Sequence, residues 1–205
     1  MTKNDIQQIL DKQVYPQCHL LTRIIDPKIV IFDPMARMKC QNCGLFNRTP
    51  RCAPNVPVLY EIKDQMRSKL KHGIIVIYQN DGSKTWREDQ VRDGVIKGKR
   101  LKGAAAGMAK VLNMRIHEIT QLMMNQFELK KDRNIFSFIT GHCNICGKCP
   151  LKDKYVGVGR VRDCKKGYSS MEAVGVDVFD LYDKLEIKYE IIPWNIVTLV
   201  GGIFL

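Results

Sequence analysis

The chain has 205 residues, 45% of them hydrophobic and 26% charged, with a formal net charge of +12. That is enough apolar material for a real core in one α/β domain covering 1–205, and no low-complexity tract points to disorder. The start lacks an apolar signal region, and the longest uncharged apolar run, Asn195 to Leu205, is too short to span a bilayer, so the expectation is a cytoplasmic protein with no membrane segment.

In chain order, residues 4–13 pattern as a short helix with Asn4 as its N-cap. Cys18 and His19 follow Pro16 and are both soft-metal ligand types, which makes Cys18 a candidate ligand standing apart from the other cysteines. Ile29 to Phe32 is a compact apolar run between Pro27 and Pro34 and predicts a strand. The first cysteine loop, about 36–56, carries Cys40, Cys43 and Cys52 as Cys-x2-Cys-x8-Cys among Gly, Pro and Asn. Two thiolates from a tight turn and one from the proline-bounded return serve three corners of a cluster or three positions on zinc, with the fourth position filled by Cys18 or another ligand or left open.

Pro57 to Leu70 predicts a helix whose positions 59, 62, 66 and 70 share an apolar face. Gly73 to Tyr78 predicts a strand buried on both faces, and Asp81 to Arg100 a charged loop leading into a helical segment. From Lys102 to Leu129 apolar residues recur at three and four, from Ala105 through Met108, Leu112, Ile116, Ile119 and Met123 to Phe127. The methionines there read as core packing, and His117 as a solvated or satisfied histidine, rather than as cofactor ligands. Ile135 to Ile139 predicts a strand that feeds directly into the second cysteine loop.

That loop, about 141–168, places Cys143, Cys146 and Cys149 at every third position, with Pro150 after the third and Cys164 downstream. A thiolate at every third residue wraps one face of an iron–sulfur cube, and a remote cysteine closes the fourth corner. Zinc is more often served by two separated Cys-x-x-Cys knuckles, and stays as the alternative metal. Beyond Cys164, Ser169 or Ser170 is an N-cap candidate, Val176 to Leu185 predicts a helix, and Ile196 to Val200 a terminal strand. Strands alternating with helices predict an α/β fold: a small mixed sheet with flanking helices and two cysteine-rich loops emerging from strand ends.

Eight cysteines without an export signal favour metal or redox chemistry over disulfides. Several enzyme signatures are absent. Both cysteine groups have two residues between their first two cysteines, where a radical-SAM loop needs three. No P-loop, dinucleotide-binding glycine motif, H-E-x-x-H or G-x-S-x-G occurs. Cations crowd both loops, Arg37, Lys39, Arg48 and Arg51 in the first, and Lys148, Lys165 and Lys166 among those in the second. Positive charge near a cluster favours its reduced state and suits an acidic protein partner. No nucleic-acid-binding pattern accompanies these charges, so nucleic acid is not the expected partner.

Lys39-Cys40-x-x-Cys43…Cys52-x-Pro54, then Cys143-x-x-Cys146-x-x-Cys149…Cys164, then Ser170-Met171-Glu172-Ala173-Val174-Gly175 together resemble a family of predicted metal-binding proteins, of unknown function, found mainly in anaerobic bacteria and archaea. The resemblance runs from about Cys40 to the terminal strand. It implies that the seven clustered cysteines form metal sites, and it does not extend to Cys18. The expectation is therefore an iron–sulfur protein with up to two [4Fe–4S] clusters, one on Cys143, Cys146, Cys149 and Cys164 and one on Cys40, Cys43 and Cys52, passing electrons to or from a larger metalloenzyme. A cluster-assembly or metalloenzyme-activation factor is the alternative, and a zinc-stabilised interaction module a further one. In each case the chain reads as an accessory protein more than a stand-alone enzyme.

Overall fold

The computed structural model describes residues 1–14, 20–42, 46–56, 59–81, 91–92, 95–96, 98–131, 133–151, 164, 166–190 and 196–205. Cys18, Cys43, the charged stretch 82–90 and the basic residues of 152–163 lie outside these residues. At the amino end, helix α1 (Lys3–Ile9) starts two residues earlier than an N-cap at Asn4 implied. Thr2 is its N-cap rather than Asn4, because Thr2 and Asp5 exchange reciprocal hydrogen bonds, Asp5 N–H to Thr2 Oγ1 at 3.2 Å and Thr2 N–H to Asp5 Oδ2 at 2.7 Å.

A five-stranded sheet carries the fold, in the order β1 (Leu21–Ile25), β2 (Gly73–Asp81), β7 (Ile196–Phe204), β5 (Phe136–Ile139), β6 (Ser169–Ser170). β1, β2, β7 and β5 pair antiparallel, while β5 and β6 run parallel, with Ile139 opposite Ser170. A two-stranded ribbon, β3 (Val91–Arg92) and β4 (Val95–Ile96), stands apart. The α/β expectation with a mixed sheet is met.

Alternation along the central strands sorts the core into two layers. Ile74, Val76, Ile135, Ile139 and Ile203 face one side, where they meet Ile6, Leu10 and the long helix α4 (Gly98–Phe127) through Leu112, Ile116, Ile119 and Met123. Ile75, Ile77, Phe136, Phe138 and Phe204 face the other, packed on Ile62 and Met66 of helix α3 (Leu59–Lys69), on Leu70 just after it, and on Leu181 and Tyr182 of α5 (Val178–Lys184). Burial on both faces explains why β2 reads as a continuous apolar run. Gly201 of β7 lets α4 approach closely: a Cβ there would lie 2.2 Å from Ile116 Cδ1 and 2.6 Å from the Phe138 carbonyl oxygen.

Three local expectations are corrected. The Ile29–Phe32 run is no strand: Pro27–Ile29 forms a 3-10 turn capped by Asp26, and only Phe32 makes a bridge, to Val176. Proline fixes the turn at its first position, and apolar burial of Val30 and Phe32 satisfies the pattern without a ladder. The helix expected from Val176 begins at Val178, because Asp177 Oδ1 accepts from the N–H groups of Phe179 and Asp180. Ser169 and Ser170 lie in strand β6 instead, with Ser170 Oγ accepting the Ala173 N–H at 3.1 Å. Strand β1 had no sequence expectation, since its residues alternate between exposed and buried over only five positions.

Candidate metal centre

Parallel neighbours need a long crossover connection, usually a helix. Between β5 and β6 that connection is residues 140–168, so the second cysteine loop is the crossover itself. Cys143 leaves the end of β5 as expected. The first loop does not leave a strand: Cys40 sits in a 3-10 turn (Lys39–Asn42) directly after the short helix α2 (Pro34–Met38), which Asp33 caps. Pro34 at the first helical turn prevents continuation of any preceding strand into the cysteines.

Asn113, fully buried on α4, fastens the crossover where it begins. Its side-chain NH2 donates to the Thr140 carbonyl at 3.1 Å, and its Oδ1 accepts the Thr140 N–H at 3.0 Å. The same NH2 reaches the His142 carbonyl and Asn144 Oδ1 at 3.4 and 3.3 Å. A further turn is closed by Gly147 N–H donating to the Asn144 carbonyl at 3.0 Å. Cys143, Cys146, Cys149 and Cys164 then line a single cavity of about 230 Å³, whose far wall comes from the first loop through Thr49, Pro50 and Arg51.

Gly167 is the floor of this cavity. A Cβ added there would lie 2.6 Å from Cys164 Sγ and 3.4 Å from Cys143 Sγ, so those two sulfurs are no more than 6.0 Å apart, the sum of the two approaches. Only glycine leaves that space to sulfur. Cys143 Sγ receives hydrogen bonds from the Ile145 and Tyr168 N–H groups; burial nevertheless pushes its thiol above the ordinary value, with Cys164 and Cys146 adding to the rise. Cys146 is exposed, the other three half-buried. No disulfide joins the six described cysteines.

Around the thiols stand groups whose contacts the sequence did not reveal. Arg51 Nη2 and Nε both donate to the Cys164 carbonyl, at 2.5 and 3.2 Å. Lys131 Nζ donates to the Gly167 carbonyl at 2.5 Å and lies 3.8 Å from the centre of the Tyr168 ring. The Tyr168 hydroxyl meets His117 Nδ1 at 2.8 Å, and burial first, then the Lys131 charge, holds His117 below its ordinary value. His117 is thus a satisfied histidine rather than a solvated one. A polar asparagine on the buried face of α4 was the available signal for Asn113; Lys131 and Arg51 had none beyond their charge.

Cys40 and Cys52 line a second, larger cavity of about 580 Å³. Arg37 braces this loop, its guanidinium donating to the Pro54 and Val56 carbonyls at 3.2 Å each, and burial lowers its affinity for its proton while Cys40 opposes that shift. Cys52 N–H donates to the Thr49 carbonyl at 3.2 Å, and Asn55 closes the return with bonds of 2.9 Å from its N–H to the Cys52 carbonyl and from its NH2 to the Thr49 carbonyl. Two peptide links partition the cavities. Arg51 faces the smaller and Cys52 the larger; Cys143 faces the smaller and His142 the larger.

The model of a family described as predicted metal-binding protein (DUF2284) matches residues 23–205. The chain belongs to this family. No curated protein and no solved structure matches it. Residues 23–205 contain the seven clustered cysteines and leave out Cys18, which also lies outside the described residues, as does Cys43. Among the described residues, no three His, Cys, Asp or Glu side chains are gathered closely enough to hold a single metal ion as they stand. Around Cys143, the donor set is four cysteines lining a shared space, with a glycine floor that any Cβ would fill. That donor set fits a polynuclear iron–sulfur group: thiolates that bind separate irons need not converge on one point. Zinc would need all four sulfurs drawn to about 2.3 Å of a common centre. Among the described residues, no helix is long and apolar enough to cross a membrane.

Proposed function

We propose that this protein holds a [4Fe–4S] cluster on Cys143, Cys146, Cys149 and Cys164 and serves as an electron carrier to or from a larger metalloenzyme. The observation that carries the reading is that those four cysteines line one cavity, which Gly167 and Arg51 also bound. Bound there, the cluster would supply a one-electron couple. The chain's own contribution is to fix the ligands through Asn113 and Arg51, to aim two N–H groups at Cys143 sulfur, and to set positive charge nearby through Lys131.

A second cluster on Cys40, Cys43 and Cys52 belongs to the same proposal, with its fourth ligand from Cys18 or a non-cysteine group. Exposed Lys148 and Lys166 beside the second loop suit an acidic protein partner rather than nucleic acid, in a reducing compartment such as the cytoplasm. Exposure of Cys146 favours one other reading, a factor that hands its cluster on during metalloenzyme assembly. Anaerobic purification followed by incubation with an apo-ferredoxin separates them: a carrier keeps its iron, and an assembly factor loses it to the acceptor. A colourless, zinc-loaded protein would exclude both.

A further inference from the structure

The larger cavity has a composition the metal reading does not use. At about 580 Å³ it is of the size that takes a small organic molecule, and most of its wall is apolar, including Val176, Val178, Val197, Leu199 and Val200. Three rings gather on it: Phe179 and Tyr189 have centroids 5.4 Å apart, Tyr182 and Tyr189 5.0 Å. Lys39 stands with them, its ammonium 4.6 Å from the centre of the exposed Phe179 ring.

We propose that this cavity binds a small organic acid with an aromatic body, its ring among Phe179, Tyr182 and Tyr189 and its carboxylate on Lys39. Charge favours an anion in two ways. The chain as a whole carries +12, which draws anions toward it. Inside, burial raises the pKa of the Glu172 carboxyl on the cavity wall, which disfavours its charged form and so lessens its repulsion of an anion. Ser170 and Lys39 oppose that rise without being the larger cause. Tyr182 likewise stays a neutral phenol, held up by burial and by Glu172. Aromatic faces then supply contact area, with offset or tilted rings as the favoured geometry. Cys40 and Cys52 share the wall, so the bound acid would lie against the first cysteine group, one peptide link from Arg51 and the second.

Glu190 also lines the cavity, which makes a cation the rival ligand. The test is calorimetric titration of the anaerobically purified chain with three probes of one shape: phenylacetate, phenylacetamide and phenethylamine. Phenylacetate is expected to bind saturably and at least about tenfold more tightly than the amide, the worth of one charge-assisted hydrogen bond. Lys39→Met, at an exposed position, should remove that preference and bring acid and amide to similar affinities, and Phe179→Ala should weaken both. Tighter binding of the amine, absence of phenylacetate binding at millimolar concentration, or an acid preference that survives Lys39→Met would each overturn the assignment. Iron content measured on the same samples keeps a failure here distinct from a failure of the cluster reading.

Discussion

The side chain of Arg51, one residue before Cys52, holds the carbonyl of Cys164 with two donors, Nη2 at 2.5 Å and Nε at 3.2 Å. Residues 113 positions apart are thereby locked, and the two cysteine loops become one structure. Arg51 is buried, 8% exposed, so its contacts are shielded from water. Arg51→Met keeps the volume but leaves the carbonyl without its charged donors. The expected loss is about 1.5–3 kcal/mol in chemical denaturation, together with faster iron release to a chelator. Unchanged stability with unchanged release would mean that the loops are held together elsewhere.

Gly167 gives a sharper test, because the conflict a methyl creates is local. The added Cβ would lie 2.6 Å from Cys164 Sγ, a distance real Cβ atoms do not show. Gly167→Ala should therefore lower iron at the second centre while far-UV circular dichroism stays as in the wild type. Full iron loading of the alanine variant would place the cluster away from this floor.

How much of this was legible beforehand varies with the kind of interaction. Apolar periodicity marked α4 and its buried face at Met108, Leu112, Ile116, Ile119 and Met123, because a helix packed on a sheet must keep that spacing. Cysteine spacing marked the thiols that share a cavity, because a loop's local reach is set by residue count. What could not be read were contacts between distant segments. Nothing near Arg51 in the sequence says that it reaches Cys164, nothing near Asn113 that it anchors Thr140, and nothing near Lys131 that it reaches Gly167. Proline and aspartate decided the local misreadings: Pro27 turned an apolar run into a 3-10 turn, and Asp177 set the start of α5.

Lys131 places its charge on the Gly167 carbonyl and over Tyr168, whose N–H points at Cys143 sulfur. A positive charge so near favours the reduced cluster. Lys131→Met should make the midpoint potential more negative, on the order of tens of millivolts after screening, in an EPR-monitored redox titration. An unmoved potential would show that the charge acts on Tyr168 alone.

Glu172 predicts a pH dependence of stability. Its pKa lies above the ordinary 4.5 in the fold, chiefly through burial, so the folded chain holds this proton more tightly than the unfolded one. The stabilisation is complete below the unfolded value and is lost as pH rises through the folded value. Glu172→Gln removes the titration, so the wild type should lose stability relative to the variant as pH climbs above 4.5. A difference between the two that stays flat or grows with pH would contradict the burial of this carboxyl.

The most direct measurement is iron and acid-labile sulfide on anaerobically purified protein, with EPR after reduction, on the wild type and Cys164→Ser. The cluster reading predicts a brown protein, about four irons and four sulfides for the second centre, and a reduced-cluster signal that Cys164→Ser abolishes or alters. A colourless protein carrying stoichiometric zinc and no labile sulfide would contradict it.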